Sequence, residues 1–529
     1  MKISLGYCIG LLASEVISSY VPLRSRDSGR PSLQYSPNYF EQRIDHFPGD
    51  SNSPQHTNAT FKQRYYVDSS YYKPGGPVYL YIGGETSGPS RFSNLRTGII
   101  QILMEATNGL GVILENRYYG ESFPYNSSTT DDLVYLTTPQ TLADNAFFAQ
   151  YAKFPGVEGD LTAPGTPWIL YGGSLAGAQT AFSIKEYGDI LYGGIASSAP
   201  VTSTVGYPAW YSPIQKYAPQ DCVTRINRIV DNFDGLVAAN NTAAIREFKA
   251  LFGLEALTDD RDFATTIAYP IGNPGFYPTN TWQELNWNAS YGSRDFFDFC
   301  GNVTAVDGVL PAGVAQGDLA LALANYTGGA PWAGLGGYAD YVKRAVLPLC
   351  ASGDYNSKAC FGTQDAAAWA HSANDAQRSY LYTSCTEQGA FIDAPKEGPS
   401  LLSRVVDTSY EQQWCRWAFP DGQFNQIPAG PDLSIYDNAD RLAFIDGDQD
   451  VWNDLCYHSN FAPPRTVSTD LHPQYLITGA GHHWDSSGIL DVEAEPQFIR
   501  EAHKWEIRTV KRWLNGFDQW KASKKSASL

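Results

Sequence analysis

Trp168-Ile169-Leu170-Tyr171-Gly172-Gly173-Ser174-Leu175-Ala176-Gly177 is an apolar run closed by paired glycines, a serine and further small residues, and residues 178–187 can continue it as a helix. Read physically, a short buried strand turns sharply into a helix with Ser174 at the apex. So tight a turn brings backbone close to backbone, which demands small neighbours and holds the serine strained and exposed at the sheet edge. The usual spacing is Gly-x-Ser-x-Gly, and Ala176 departs from it at the last position. A glycine-rich turn alone has many uses. A nucleophilic serine also needs a base, an orienting acid and donors for an oxyanion from elsewhere in the chain.

Outward from this turn the chain alternates. Residues 39–47 and 61–67 read as early strands, 77–82 as a buried strand ending in Gly83-Gly84-Glu85, and 111–115 as another that runs into Asn116-Arg117-Tyr118-Tyr119-Gly120. Residues 95–106 and 141–152 have helical patterns, and 193–200 reads as a further strand. This alternation predicts a parallel sheet covered on both faces. From 201 to 407 the rhythm is lost, and stretches such as 224–240 and 314–323 suggest a mostly helical insertion. Strand patterns return at 441–446 and 474–478, and a helix over 496–514 carries Ile499, His503, Ile507, Val510 and Leu514 at helical spacing. The expected organisation is a leader at about 1–20, a first α/β segment at 21–200, an inserted cap at 201–407 and a second α/β segment at 408–529. His46, His56 and His503 read as packed or solvent-facing residues, and the tail 521–529 as frayed.

In open α/β sheets, function collects at the carboxyl ends of the strands. Three such ends carry Ser174, an acidic loop with Asp450, and the pair His482-His483. Their order along the chain, Ser then Asp then His, is that of an α/β-hydrolase triad. Asp446, Asp448 and Asp450 also admit a calcium-loop reading with Gly447 at the bend, but the downstream Glu that an EF-hand requires is missing. No CxxC pair or Cys/His cluster has zinc spacing, so no metal and no cofactor is expected.

At these residues the chain resembles the serine peptidase family of lysosomal Pro-Xaa carboxypeptidase, dipeptidyl peptidase II and the fungal acid prolyl endopeptidases. The resemblance rests on Glu115-Asn116-Arg117-Tyr118-Tyr119-Gly120, on Gly172-Gly173-Ser174, on Gly447-Asp448-Gln449-Asp450-Val451-Trp452 and on Gly479-Ala480-Gly481-His482-His483-Trp484-Asp485. It implies an α/β-hydrolase fold with an inserted helical, disulfide-containing cap, Ser174 as nucleophile, Asp450 as acid and His482 as base. It also implies an oxyanion hole from the Leu175 N–H with Tyr118 or Tyr119 as the second donor, and Trp452 as a wall for a proline ring. Ala178 falls where some members place a large apolar residue near the substrate, and Glu85 is a candidate partner for a substrate amine. The implied disulfides are Cys222–Cys300, Cys350–Cys360 and Cys385–Cys415, with Cys456 free. Leu175, Ala176, Ala178 and Val451 depart from the family pattern without removing a catalytic group, which puts strict proline specificity in question.

The bulk numbers agree with an exported enzyme. Of 529 residues, 43% are hydrophobic, 14% aromatic and only 17% charged, a globular composition. The net charge of −18 argues against nucleic acid as a partner. Lys2 precedes a short apolar run over residues 3–13, the pattern of a signal peptide, and no run of about 18 apolar residues predicts a membrane span. Sequons at Asn58, Asn126, Asn240, Asn288, Asn302 and Asn325 predict N-linked glycans, and eight cysteines suit an oxidising compartment, secreted or vacuolar/lysosomal. The expected function is a secreted serine-type peptidase cleaving after proline or a small apolar residue, in carboxypeptidase, dipeptidyl-peptidase or endopeptidase mode. An esterase or lipase would use the same triad, and a non-catalytic binding protein would be expected to lack one of its members.

Overall fold

A computed structural model describes residues 35–49, 56–272, 282–283, 285–290, 292–305, 334–350, 358–420, 439–462 and 467–527, together with Gly422, Phe424 and Tyr436. The leader at 1–20, the helix expected over 314–323 and the sequon at Asn325 lie outside these residues.

Strands β3 (Val78–Ile82), β4 (Leu110–Leu114), β5 (Trp168–Gly173) and β6 (Gly193–Ser197) are buried at every position. Uninterrupted burial of this kind requires cover on both faces, which only helical crossovers between parallel strands supply. With β1 (Asn38–Arg43), β2 (Thr60–Asp68), β9 (Leu442–Gly447) and β10 (Gln474–Ile477) they form one eight-stranded sheet in the order β1-β2-β4-β3-β5-β6-β9-β10. The β1–β2 and β2–β4 pairings are antiparallel and every other pairing is parallel. This is the α/β-hydrolase sheet. One face packs Phe148 of α3 (Thr138–Tyr151) and Ala181 of α4 (Leu175–Tyr187). The other packs Leu103 of α2 (Ile99–Thr107) and Val510 of the helix Gln497–Asn515.

Two expectations need correction. The helix read over 95–106 is two helices, α1 (Phe92–Arg96) and α2, parted at Gly98. A Cβ on Gly98 would lie 2.5 Å from the Ser486 carbonyl oxygen, so the loop after the histidine pair presses on this break. The tail is also ordered further than expected. Phe517–Ala527 is helical, and Phe517 and Trp520 sit edge-on to Tyr192 at 4.9 and 5.0 Å.

Between β6 and β9 the chain leaves the sheet and builds a mainly helical layer over its carboxyl edge. Its helices include Gln220–Ala238, Thr242–Leu251, Asp260–Ala268, Asp295–Ala305, Ala376–Thr383 and Thr408–Ala418. Phe233, Phe248, Phe252 and Phe263 are buried together there with Tyr338. A small parallel sheet of β7 (Thr204–Gly206) and β8 (Gly389–Phe391) ties the start of the excursion to a point near its end. Disulfides join Cys222 to Cys300, Cys350 to Cys360 and Cys385 to Cys415, while Cys456 is a buried free thiol. Asn58, Asn126 and Asn240 are exposed; the amides of Asn288 and Asn302 donate to the carbonyls of Gly488 and Gly337.

Candidate active site

Ser174 links β5 to α4 with φ 60° and ψ −130°, a conformation that side chains other than glycine rarely adopt. Its neighbours explain how it is held. A Cβ on Gly172 would lie 2.1 Å from the Ala176 carbonyl oxygen, and one on Gly177 would lie 2.7 Å from that of Ser197. The Ser174 N–H donates to the Ser197 carbonyl at 3.0 Å, fixing the turn to β6. Leu175 opens α4, so its N–H has no acceptor within the helix.

Asp446 lies near the end of β9, Asp448 and Asp450 in the loop that follows, and the three carboxylates diverge. Asp446 meets Nδ1 of His458 at 2.6 Å, Asp448 accepts from the Gly479 N–H at 2.7 Å, and Asp450 meets Nδ1 of His482 at 2.8 Å. The Trp452 N–H donates to Asp450 at 2.9 Å and holds the carboxylate from behind. The Gln449 N–H donates to the Ala480 carbonyl, and Gly447 has no room for a Cβ against Ala480 and Gly481. The loops after β9 and β10 are therefore stitched into one unit. Asp450 is 1% and His482 5% exposed, and Nε2 of His482 has no hydrogen-bond partner among the described residues. Asp450 and His482 are thus joined directly, whereas no hydrogen bond reaches from Nε2 to Ser174. The histidine loop nevertheless lies against the serine turn: a Cβ on Gly173 would come within 3.2 Å of the His483 ring, itself 4.6 Å from that of His482. Burial, then the neighbouring His482 and Arg91, hold the His483 imidazole well below its ordinary pKa.

Ser174, Leu175, Ala178, Glu85 and Trp452 line one cavity of about 280 Å³ between the sheet edge and the cap. Trp452 stacks on Tyr207 at 5.7 Å and meets Trp210 edge-on, so its ring is a rigid wall. Tyr118 and Tyr119 do not line this cavity. Both are buried, and the Tyr118 hydroxyl donates to the Asp132 carbonyl. The loop after β3 does approach. A Cβ on Gly84, at φ +72°, would lie 3.5 Å from Cβ of Ala176, and Glu85 lines the cavity. The signal for this loop was the Gly83-Gly84 pair closing a buried strand. Glu387 from the cap also lines the cavity, and no sequence motif marks it.

The serine carboxypeptidase S28 family model matches residues 42–271. "Probable extracellular serine carboxypeptidase" of Arthroderma benhamiae is 36% identical over 89% of this chain and 67% of its own length. The chain belongs to the S28 family. It is a serine-type peptidase, a hydrolase of the same kind as its relatives. The lysosomal Pro-X carboxypeptidase of Bos taurus is 34% identical over 35% of this chain and 36% of its own. Among solved structures, a lipase in its open form covers 91% of this chain and all of its own at 11% identity and a TM-score of 0.29. At that score the strand order of the sheet carries the fold assignment.

Proposed function

We propose that this S28 peptidase cleaves after proline or another small apolar residue through an acyl-enzyme, with Ser174 as nucleophile, His482 as general base and Asp450 as the orienting acid. The observation that carries the reading is the buried Asp450–His482 pair, whose one nitrogen without a partner among the described residues belongs to a loop packed on the strained serine turn. Catalytic hydrogen bonds are often long before substrate binds, so the open Ser174–His482 contact is compatible with the role. His482 Nε2 takes the Ser174 proton as Oγ attacks the scissile carbonyl, and Asp450 holds the Nδ1–H tautomer and balances the imidazolium. The imidazolium then protonates the leaving amine. Water, deprotonated by the same nitrogen, releases the acid. The Leu175 N–H stabilises the oxyanion, and the second donor is assigned to the Gly84–Glu85 backbone, because folds of this class draw it from the loop after β3.

A proline ring fits beside Trp452, since a rigid apolar ring is well matched by an aromatic wall. The small Ala178 leaves room for other apolar residues there. Secretion, or delivery to a vacuolar or lysosomal lumen, is supported by the disulfides, the exposed sequons and the names of the Arthroderma and bovine relatives. The substitution Ser174→Ala should abolish cleavage of proline-containing peptides while secretion and folding persist; retained cleavage would sink the assignment. Digestion of a mixed peptide library, read by mass spectrometry, gives the residue before each cut and separates terminal from internal cleavage.

A further inference from the structure

The charges lining the substrate cavity are one-sided. Glu85 and Glu387 line it, and no lysine, arginine or histidine does so among the described residues. Glu85 has a loose counter-ion, Arg91, at 3.7 Å. Glu387 forms no ion pair among the described residues. Its carboxylate accepts the Thr138 N–H at 3.0 Å on both oxygens and the Thr138 hydroxyl at 2.7 Å on one. Thr138 is the first residue of α3, a helix of 14 residues, whose dipole favours an anion at this end. These donors hold the charge without neutralising it, and a carboxylate has about four acceptor sites in all. Glu387 is also firmly placed: it precedes β8 and stands two residues beyond the Cys385–Cys415 disulfide.

We propose that Glu387 is a specificity-determining residue that receives an ammonium group of the substrate in the cavity beside Ser174. This rests on the peptidase reading above. A substrate carboxylate in the same cavity would face two lining carboxylates, with Arg91 behind Glu85 the cation beside them, so a peptide that leads with its C-terminus is disfavoured there. Burial holds the Glu387 carboxyl above its ordinary pKa, against the opposing pull of the Thr138 hydrogen bonds. An incoming ammonium supplies the missing partner. The ammonium has two sources, the α-amino terminus of a short peptide or a lysine side chain.

The test compares hydrolysis of an Ala-Pro-containing peptide with a free amino terminus, its N-acetylated form, and an N-acetylated form extended by lysine. The enzymes are the wild type, Glu387→Gln, Glu85→Gln and Ser174→Ala. Glutamine keeps an acceptor for the Thr138 N–H, so docking of the cap is retained. A hydrogen bond between charged groups corresponds to roughly a tenfold to hundredfold preference in kcat/KM for the ammonium-bearing peptide. That ratio should collapse towards one in Glu387→Gln and largely persist in Glu85→Gln. Recovery on the lysine peptide but not the free amine, or the reverse, identifies the source, and either supports the proposal. On the wild type alone, the dipeptide Ala-Pro amide should compete about tenfold better than its acetylated form, which covers failure of the variant to fold. Equal rates on acetylated and free peptides, or a preference that follows Glu85 instead, overturn the Glu387 assignment and leave the peptidase reading standing. A wild type no more active than Ser174→Ala on every peptide overturns both.

Discussion

Glu506→Gln should make the protein less sensitive to rising pH. Glu506 lies on the helix Gln497–Asn515, is fully buried, and neither of its carboxylate oxygens has a hydrogen-bond partner among the described residues. Burial, and then the carboxylates of Asp485 and Glu495, push its pKa well above the ordinary value of 4.5. The other groups packed around it are His503, which faces Glu495 and the Asp485 carbonyl, and Tyr171 and Ser197, whose hydroxyls donate to the Asp485 carboxylate. Below the unfolded pKa, Glu506 is neutral in both states and the native protein keeps its full stability. Above it the unfolded chain releases a proton that the native chain retains, so stability falls by about 1.4 kcal/mol per pH unit until the native group ionises. Glutamine is close to isosteric with the neutral acid and removes this slope. The gap between variant and wild type should therefore be small near pH 4.5 and widen steadily above it. Urea midpoints or thermal melts at successive pH values measure it, compared as midpoints because a chain of this size need not unfold in two states. Parallel curves for the two proteins would show that Glu506 finds a counter-charge or water, and would refute the reasoning.

Asp450→Asn should keep the fold and most substrate affinity but lower kcat by about 10⁴, because the amide stabilises the wrong imidazole tautomer; steady-state kinetics on one proline peptide separates kcat from KM. Gly172→Ala should prevent the serine turn from closing, since the added carbon would sit 2.1 Å from a backbone oxygen that cannot move aside. Loss of activity together with a lowered melting temperature is the expected result, and a fully active, stable variant would contradict the geometry.

The strands were legible where burial leaves one composition open. β3, β4, β5 and β9 are short, mainly apolar runs with glycine or proline in or beside each, and each lies within a residue or so of where its pattern predicts. The pairing of β7 with β8 was not legible: each has three residues, and 182 residues separate the end of one from the start of the other. Gly98 shows why a helical pattern can mislead. The break answers to Ser486, nearly 400 residues away, and Gly98 itself is its local mark. At the site, Asp450 and His482 could be paired by chain order, while the loop after β3, marked only by its glycines, packs beside the serine turn. Glu387 has no motif because its partner, Thr138, is 249 residues distant.

The placement of the cap between β6 and β9 has a consequence for how the chain is made. β6 sits in the middle of the sheet, yet the strand that covers its open side, through pairings such as Ile195 with Ala443, is encoded about 245 residues later. At synthesis rates of roughly 5–20 residues per second, that edge waits about 12–50 s for its partner. During that time Gly193-Gly194-Ile195-Ala196-Ser197 is an uncharged strand with open hydrogen-bonding groups, the kind of edge that recruits other chains. The cap is the segment that emerges between β6 and β9, so it is the part of the chain at hand while that edge is open.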